Sequence, residues 1–102
     1  MARKQFQTLS EPMYYILLAL TKECCGVDIM KKVYEISHGR ISVGPGTLYT
    51  LLEKFESANF IRETSVKGRK KSYIITESGY EALKQEYSRL KSMVDEGFEF
   101  MV

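Results

Sequence analysis

Apolar and polar positions follow four helical rhythms and one β rhythm along the chain. Met13, Tyr14, Tyr15, Ile16, Leu17, Leu18, Ala19 and Leu20 form an unbroken apolar run behind Ser10, Glu11 and Pro12. That entry predicts a helix start: a capping hydroxyl, an acid in the first turn, and a proline where its missing N–H does no harm. A helix apolar on every side must be covered on every side. So small a domain can hardly surround one, so a second subunit is expected to cover part of it. Gly26 is read as the stop of this helix. Val27, Met30, Val33, Tyr34 and Ile36 then recur at helical spacing among Asp28, Lys31, Lys32 and Glu35. This predicts a second, amphipathic helix ended by Ser37-His38-Gly39. Leu48, Leu51, Leu52 and Phe55 mark one face of a third, opened by Gly44-Pro45-Gly46 and ended by Asn59 in a left-handed turn.

The rhythm changes after residue 60. Stretches 61–66 and 72–76 are rich in β-branched and aromatic residues and flank a glycine-containing tip, which predicts a β-hairpin. Thr76-Glu77-Ser78 begins a long last helix. Its apolar residues Tyr80, Leu83, Tyr87, Leu90 and Val94 are spaced three, four, three, four. Such a narrow heptad seam points to a partner helix more than to a broad core face. Three helices and then a hairpin is the order of a winged helix-turn-helix. The expected fold is mainly α with a small β-hairpin, in a single domain over 1–102. Within it, 8–76 forms the winged helix-turn-helix DNA-binding region and 77–100 the C-terminal dimerisation helix.

Length and composition narrow the picture. The 102 residues, 44% hydrophobic and 27% charged, suit one ordinary globular domain. A net charge of +2 is modest, but its distribution is uneven. Between residues 62 and 71 five cations face the single acid Glu63, while Asp95, Glu96 and Glu99 gather beyond the last cation, Lys91. The local field, not the total, steers a phosphate backbone. The start of the chain shows no apolar signal core, and the longest apolar run is far short of a membrane span, so a cytoplasmic location is expected. Adjacent Cys24 and Cys25 are read as reduced packing residues near a helix end, and one histidine, His38, leaves no zinc-ligand set. No metal, cofactor or catalytic constellation is expected, and the chain is not read as an enzyme.

The chemistry lies in two places. Opposite its apolar face the third helix presents Gly46, Thr50, Glu53 and Ser57, flanked by Thr47, Lys54 and Tyr49. Small hydroxyl residues let a helix approach a groove and bond phosphates or base edges. Thr47, Tyr49, Thr50 and Lys54 are the candidate groove contacts, with Glu53 acidic among them. Lys67, Arg69, Lys70 and Lys71 crowd the hairpin tip, where mutual repulsion would be relieved by a polyanion. Arg3 and Lys4 could add a loose arm. Tyr14, Tyr15, Phe98 and Phe100 could line a pocket for a flat ligand between subunits, though such residues more often simply pack. The expected partners are double-stranded DNA and a second copy of the chain, joined through Tyr80, Leu83, Tyr87, Leu90 and Val94. A dimer favours a palindrome with half-sites ~34 Å apart. The alternatives are a winged-helix protein-interaction module and a small-molecule-binding protein with no DNA role.

Three motifs in order resemble the PadR family of bacterial transcriptional regulators. They are Ser10-Glu11-Pro12-Met13-Tyr14-Tyr15-Ile16-Leu17, then Gly44-Pro45-Gly46-Thr47-Leu48-Tyr49, then the run from Gly68-Arg69-Lys70-Lys71 through Ser72-Tyr73-Ile74-Ile75 to Thr76-Glu77-Ser78-Gly79. The resemblance implies a winged helix and, at this length, a single C-terminal dimerisation helix. It also implies a repressor of nearby genes released by a small aromatic or lipophilic effector. Four positions depart from the family pattern: Val27 replaces a tyrosine, Thr50 a common proline, Glu53 a basic residue and Asn59 a glycine. The chain also has no tryptophan, the residue on which some drug-binding members stack their ligand.

Overall fold

A computed structural model describes residues 8–101, and the proposed arm at Arg3 and Lys4 lies outside them. The element order is α1 (Glu11–Ala19), β1 (Cys24–Cys25), α2 (Gly26–Ile36), α3 (Pro45–Ser57), β2 (Ile61–Lys67), β3 (Lys70–Ile75) and α4 (Glu77–Met101). It is a winged helix-turn-helix carrying one long C-terminal helix. Ser10 caps α1: its hydroxyl oxygen accepts from Met13 N–H at 3.4 Å, while Ser10 N–H donates to the Met13 sulfur at 3.4 Å. Met13, Ile16, Leu17 and Ala19 are buried; Tyr14, Tyr15 and Leu18 are half-covered by the chain itself. Core and helix meet best along α1, because α2 and α4 pack on it from two sides.

Gly26 does not stop α1. The helix ends at Ala19, where Leu20 N–H closes on Ile16 O and Leu17 O, and Gly26 is instead the first residue of α2. Between them Cys24 and Cys25 form a short strand that runs directly into the start of α2 and pairs antiparallel with Tyr73 and Ser72 of β3. The wing is therefore a three-stranded sheet in the order β1-β3-β2. Ile75 N–H donates to Leu20 O at 2.8 Å and ties this sheet to the end of α1. Two residues of strand are too short to show a period in sequence; the ladder with β3 creates them.

The second helix is also turned from its expected face. Gly26, Ile29 and Val33 are buried, whereas Val27 is 61% exposed and Tyr34 and Ile36 also reach solvent. The spacing is helical, but several apolar stripes fit it, and packing against α1 selects the one through Ile29. Ser37, fully buried, donates to Tyr34 O and accepts Ile41 N–H at 3.0 Å, which fixes the turn into α3.

On α3, Leu48, Leu52 and Phe55 are buried as expected and Leu51 is partly so. Asn59 takes φ 62°, and Phe60 N–H closes back on Phe55 O at 2.8 Å, the left-handed helix end read from sequence. The wing strands pair from Ile61↔Ile75 to Lys67↔Lys70, with a bulge between Glu63 and Ser65, and Gly68-Arg69 makes a two-residue turn. Thr76 then starts α4, its hydroxyl accepting Gly79 N–H at 3.0 Å and donating to Asn59 O at 2.7 Å. Gly79 lies so close to the α3–β2 junction that a Cβ there would sit 2.1 Å from Phe60 O.

Candidate nucleic-acid interface

The exposed face of α3 follows from its buried one. With Leu48, Leu52 and Phe55 fixed inward, Thr47, Tyr49, Thr50, Glu53 and Lys54 all stand in solvent. The wing cations Lys67, Arg69, Lys70 and Lys71 are exposed as well. Lys71 is drawn toward Glu63 across the ladder, Nζ–Oε1 3.8 Å, so one of the four charges is partly neutralised.

Helix and wing meet at a cleft of about 420 Å³. Of the residues expected to bind DNA, it brings together Tyr49, Arg69, Lys70 and Lys71; Thr47, Thr50, Lys54 and Lys67 lie outside its walls. Its remaining walls come from Cys25, Gly26, Val27 and Tyr73, which sequence reasoning did not place at the site. One signal for two of them existed: Gly26 and Val27 belong to a motif where the chain departs from the pattern of the family it resembles. Gly26 lets Tyr49 lie close: a Cβ there would come 2.5 Å from the Tyr49 hydroxyl oxygen, and the half-exposed ring would have to swing aside. Tyr73 is almost completely covered, and its phenol pKa is raised by that burial first, then by Glu56, Glu63 and Tyr49.

Cys24 is a free, buried thiol whose pKa is pushed up by burial, only partly opposed by Lys32, which suits a packing residue. The Cys25 thiol donates to Asp28 at 3.3 Å. Among the described residues no group of His, Cys, Asp and Glu could hold a metal ion, and no helix is long and apolar enough to cross a membrane.

The apolar seam of α4 divides. Leu83 is 5% exposed and belongs to the chain's own core, Leu90 is half-buried, and Tyr80, Tyr87 and Val94 are exposed. Around it lie a groove of about 320 Å³ floored by Tyr14, Leu18, Tyr80, Leu83 and Tyr87, and an apolar hollow of about 510 Å³ at Leu90, Met93, Val94, Gly97, Phe98 and Met101. The four aromatic residues considered for a ligand pocket do not share one space within the chain. Tyr14 and Tyr15 pack edge to face at 5.9 Å, Phe98 lines the distal hollow, and Phe100 projects into solvent.

Solved structures share this arrangement. A transcriptional regulator from Clostridium thermocellum superposes with a TM-score of 0.74 at 18% identity, over 90% of this chain and 92% of that one. A PadR family transcription regulator from Clostridium difficile R20291 gives 0.71 at 24% identity, over 87% and 98%. RosR of H. salinarum gives 0.66 at 16% identity, over 96% and 100%. At these identities the likeness is one of fold. No curated protein sequence gives a significant match. The sequence pattern of the transcriptional regulator PadR-like family, however, matches residues 16–85, more than half the chain. With a winged helix whose α3 and cationic wing face the same cleft, the chain belongs to the PadR-like family of DNA-binding transcriptional regulators.

Proposed function

We propose that the protein is a homodimeric repressor that binds a palindromic operator in double-stranded DNA. One observation carries this reading: Tyr49 of α3 and Arg69, Lys70 and Lys71 of the wing converge on one cleft, so groove-reading helix and phosphate clamp lie on one side. In it α3 enters the major groove with Thr47, Tyr49, Thr50 and Lys54 in contact, and Lys67, Arg69, Lys70 and Lys71 hold backbone phosphates. Glu53, exposed on the same face, suits acceptance from a cytosine amino group. Tyr80, Tyr87, Leu90 and Val94 meet the partner copy, with Leu83 supporting them from within. The groove at Tyr14, Tyr80 and Tyr87 has the walls to receive a small aromatic or lipophilic effector. Such a regulator works beside the chromosome in the cytoplasm, without a catalytic step.

The test is a gel shift on DNA upstream of the protein's own gene, with sedimentation to give the mass of the bound species. A shift at nanomolar protein, weakened by rising salt and with two chains per duplex, is expected. The absence of any shift at low salt would leave the winged helix as a protein-docking module.

A further inference from the structure

Tyr73 is a polar group that the DNA reading leaves idle. It is 5% exposed, and no hydrogen bond from another described residue reaches its hydroxyl. Buried polar groups in folded proteins almost always have a partner, in the protein or outside it. The side chain lines the cleft between α2, α3 and the wing, so an outside partner has a place to sit.

The other polar side chains that line that place also donate. The first turn of α2 forms the facing wall through Gly26 and Val27, and its N-cap, Cys25, offers no side-chain hydrogen bond to it. Its first N–H groups thus lack intrahelical partners and carry the positive end of the helix dipole. The Tyr49 hydroxyl stands over Gly26, and Arg69, Lys70 and Lys71 rim the opening. Carboxylates stand nearby: Asp28 accepts from the Cys25 thiol, Glu63 is engaged by Lys71, and Glu56 is close enough to act on Tyr73. These acids and the burial keep the Tyr73 phenol protonated, so it remains a donor at neutral pH. A helix N-terminus with two hydroxyls and cations around it is the donor set of an oxyanion site.

We infer that this cleft seats one phosphoryl group, held by the Tyr73 and Tyr49 hydroxyls and the first N–H groups of α2, with the wing cations balancing its charge. Two sources carry that chemistry: a backbone phosphate of duplex DNA, or a free phosphate or phosphomonoester competing with it. The first source rests on the DNA reading above. Seated there, a single backbone phosphate would fix how deeply α3 enters the groove, because Tyr49 belongs to both surfaces.

The test compares the full chain with Tyr73→Phe, which removes only one hydroxyl. Inorganic phosphate is titrated at constant ionic strength against chloride while the amide signals of residues 26–28 are followed by NMR. Affinity for the upstream duplex is measured in chloride by fluorescence anisotropy. Expected are saturable shifts in the wild type that vanish in the variant. DNA binding by the variant should be about tenfold weaker, with an unchanged salt slope because no charge is removed. A tenfold drop in DNA affinity without phosphate shifts assigns the seat to the DNA backbone alone. Saturable shifts with equal DNA affinity assign it to free phosphate. Saturable shifts in a protein that binds no DNA keep the seat and remove the DNA reading. DNA binding that is identical in both proteins, with no saturable shift in either, overturns the seat and leaves the DNA reading standing.

Discussion

The two halves of α4 carry one apolar rhythm and meet opposite fates. In the first half Gly79, Ala82, Leu83 and Glu86 are buried, Gly79 against Phe60 at the α3–β2 junction and the others where the helix packs on α1. In the second, Val94 is 71% and Phe98 67% exposed, with Met93, Phe100 and Met101 also in solvent. A heptad seam records that something will cover it, not whether that cover is the same chain. A contiguous apolar surface of this kind on an otherwise charged helix marks an interaction face. The wing makes the converse point: it is as exposed as the distal seam, but water solvates its cations well, so its exposure alone calls for no cover.

The largest expected effect separates the halves directly. Leu83→Asp puts a carboxylate in the chain's own core and should cost about 3–5 kcal/mol, enough to unfold a domain of this size. Val94→Asp combined with Phe98→Asp should leave helix content intact and halve the mass in sedimentation. If Leu83→Asp stays folded, or the distal pair unfolds the chain, the division is misplaced.

Glycines offer a second comparison, smaller in effect. Gly79→Ala forces a Cβ against Phe60 O, a backbone atom that cannot swing aside, and should destabilise by about 2–3 kcal/mol in urea melts. Gly97→Ala meets only the Met101 methyl at 3.5 Å, an ordinary contact. There the gain in helix propensity should stabilise by about 0.5–1 kcal/mol. Equal changes at both sites would mean that the start of α4 is not anchored as described.

The wing comes next. Neutralising Lys67, Arg69, Lys70 and Lys71 together should weaken binding to all duplex sequences. It should also flatten the dependence of log affinity on log salt by about 0.9 for each phosphate that the wing no longer neutralises. Stability should hardly change, since these side chains are exposed and, among the described residues, only Lys71 has an ion-pair partner, itself at the surface. An unchanged slope would remove the wing from the interface.

These contrasts also show where sequence is legible. Helix ends with local chemistry are readable: Ser10 caps α1 and Asn59 closes α3, since both depend on residues within a turn or two. The wing is readable because β2 and β3 pair across a two-residue turn. What escapes depends on distant neighbours. The Cys24–Cys25 strand exists only because β3 offers it an edge, the buried stripe of α2 is chosen by α1, and Leu83 is claimed by the chain's own core. Of the candidate interface, the exposed cations and α3 face follow from amphipathicity. Gly26 and Tyr73 do not, because their roles come from a cleft built by four separate elements.

The smallest effect tests the proximal half alone. Tyr14 faces the α1–α4 groove, and its phenol is held above the ordinary value of 10.0 by burial first, then by Tyr87, Tyr15 and Glu86. A raised pKa means that the folded chain holds this proton more tightly than the unfolded chain does. The resulting stability is therefore complete below a pH of about 10 and fades as pH climbs through the folded value. Between pH ~8 and pH ~11 the denaturant midpoint should fall further for the wild type than for Tyr14→Phe, which has no phenol there to ionise. The distal half has no tyrosine, so the Val94→Asp, Phe98→Asp protein should lose stability with pH just as the wild type does. Parallel losses in wild type and Tyr14→Phe would show that the packing of α1 on α4 does not sense this proton, and that the proximal groove is more open to water than its walls imply.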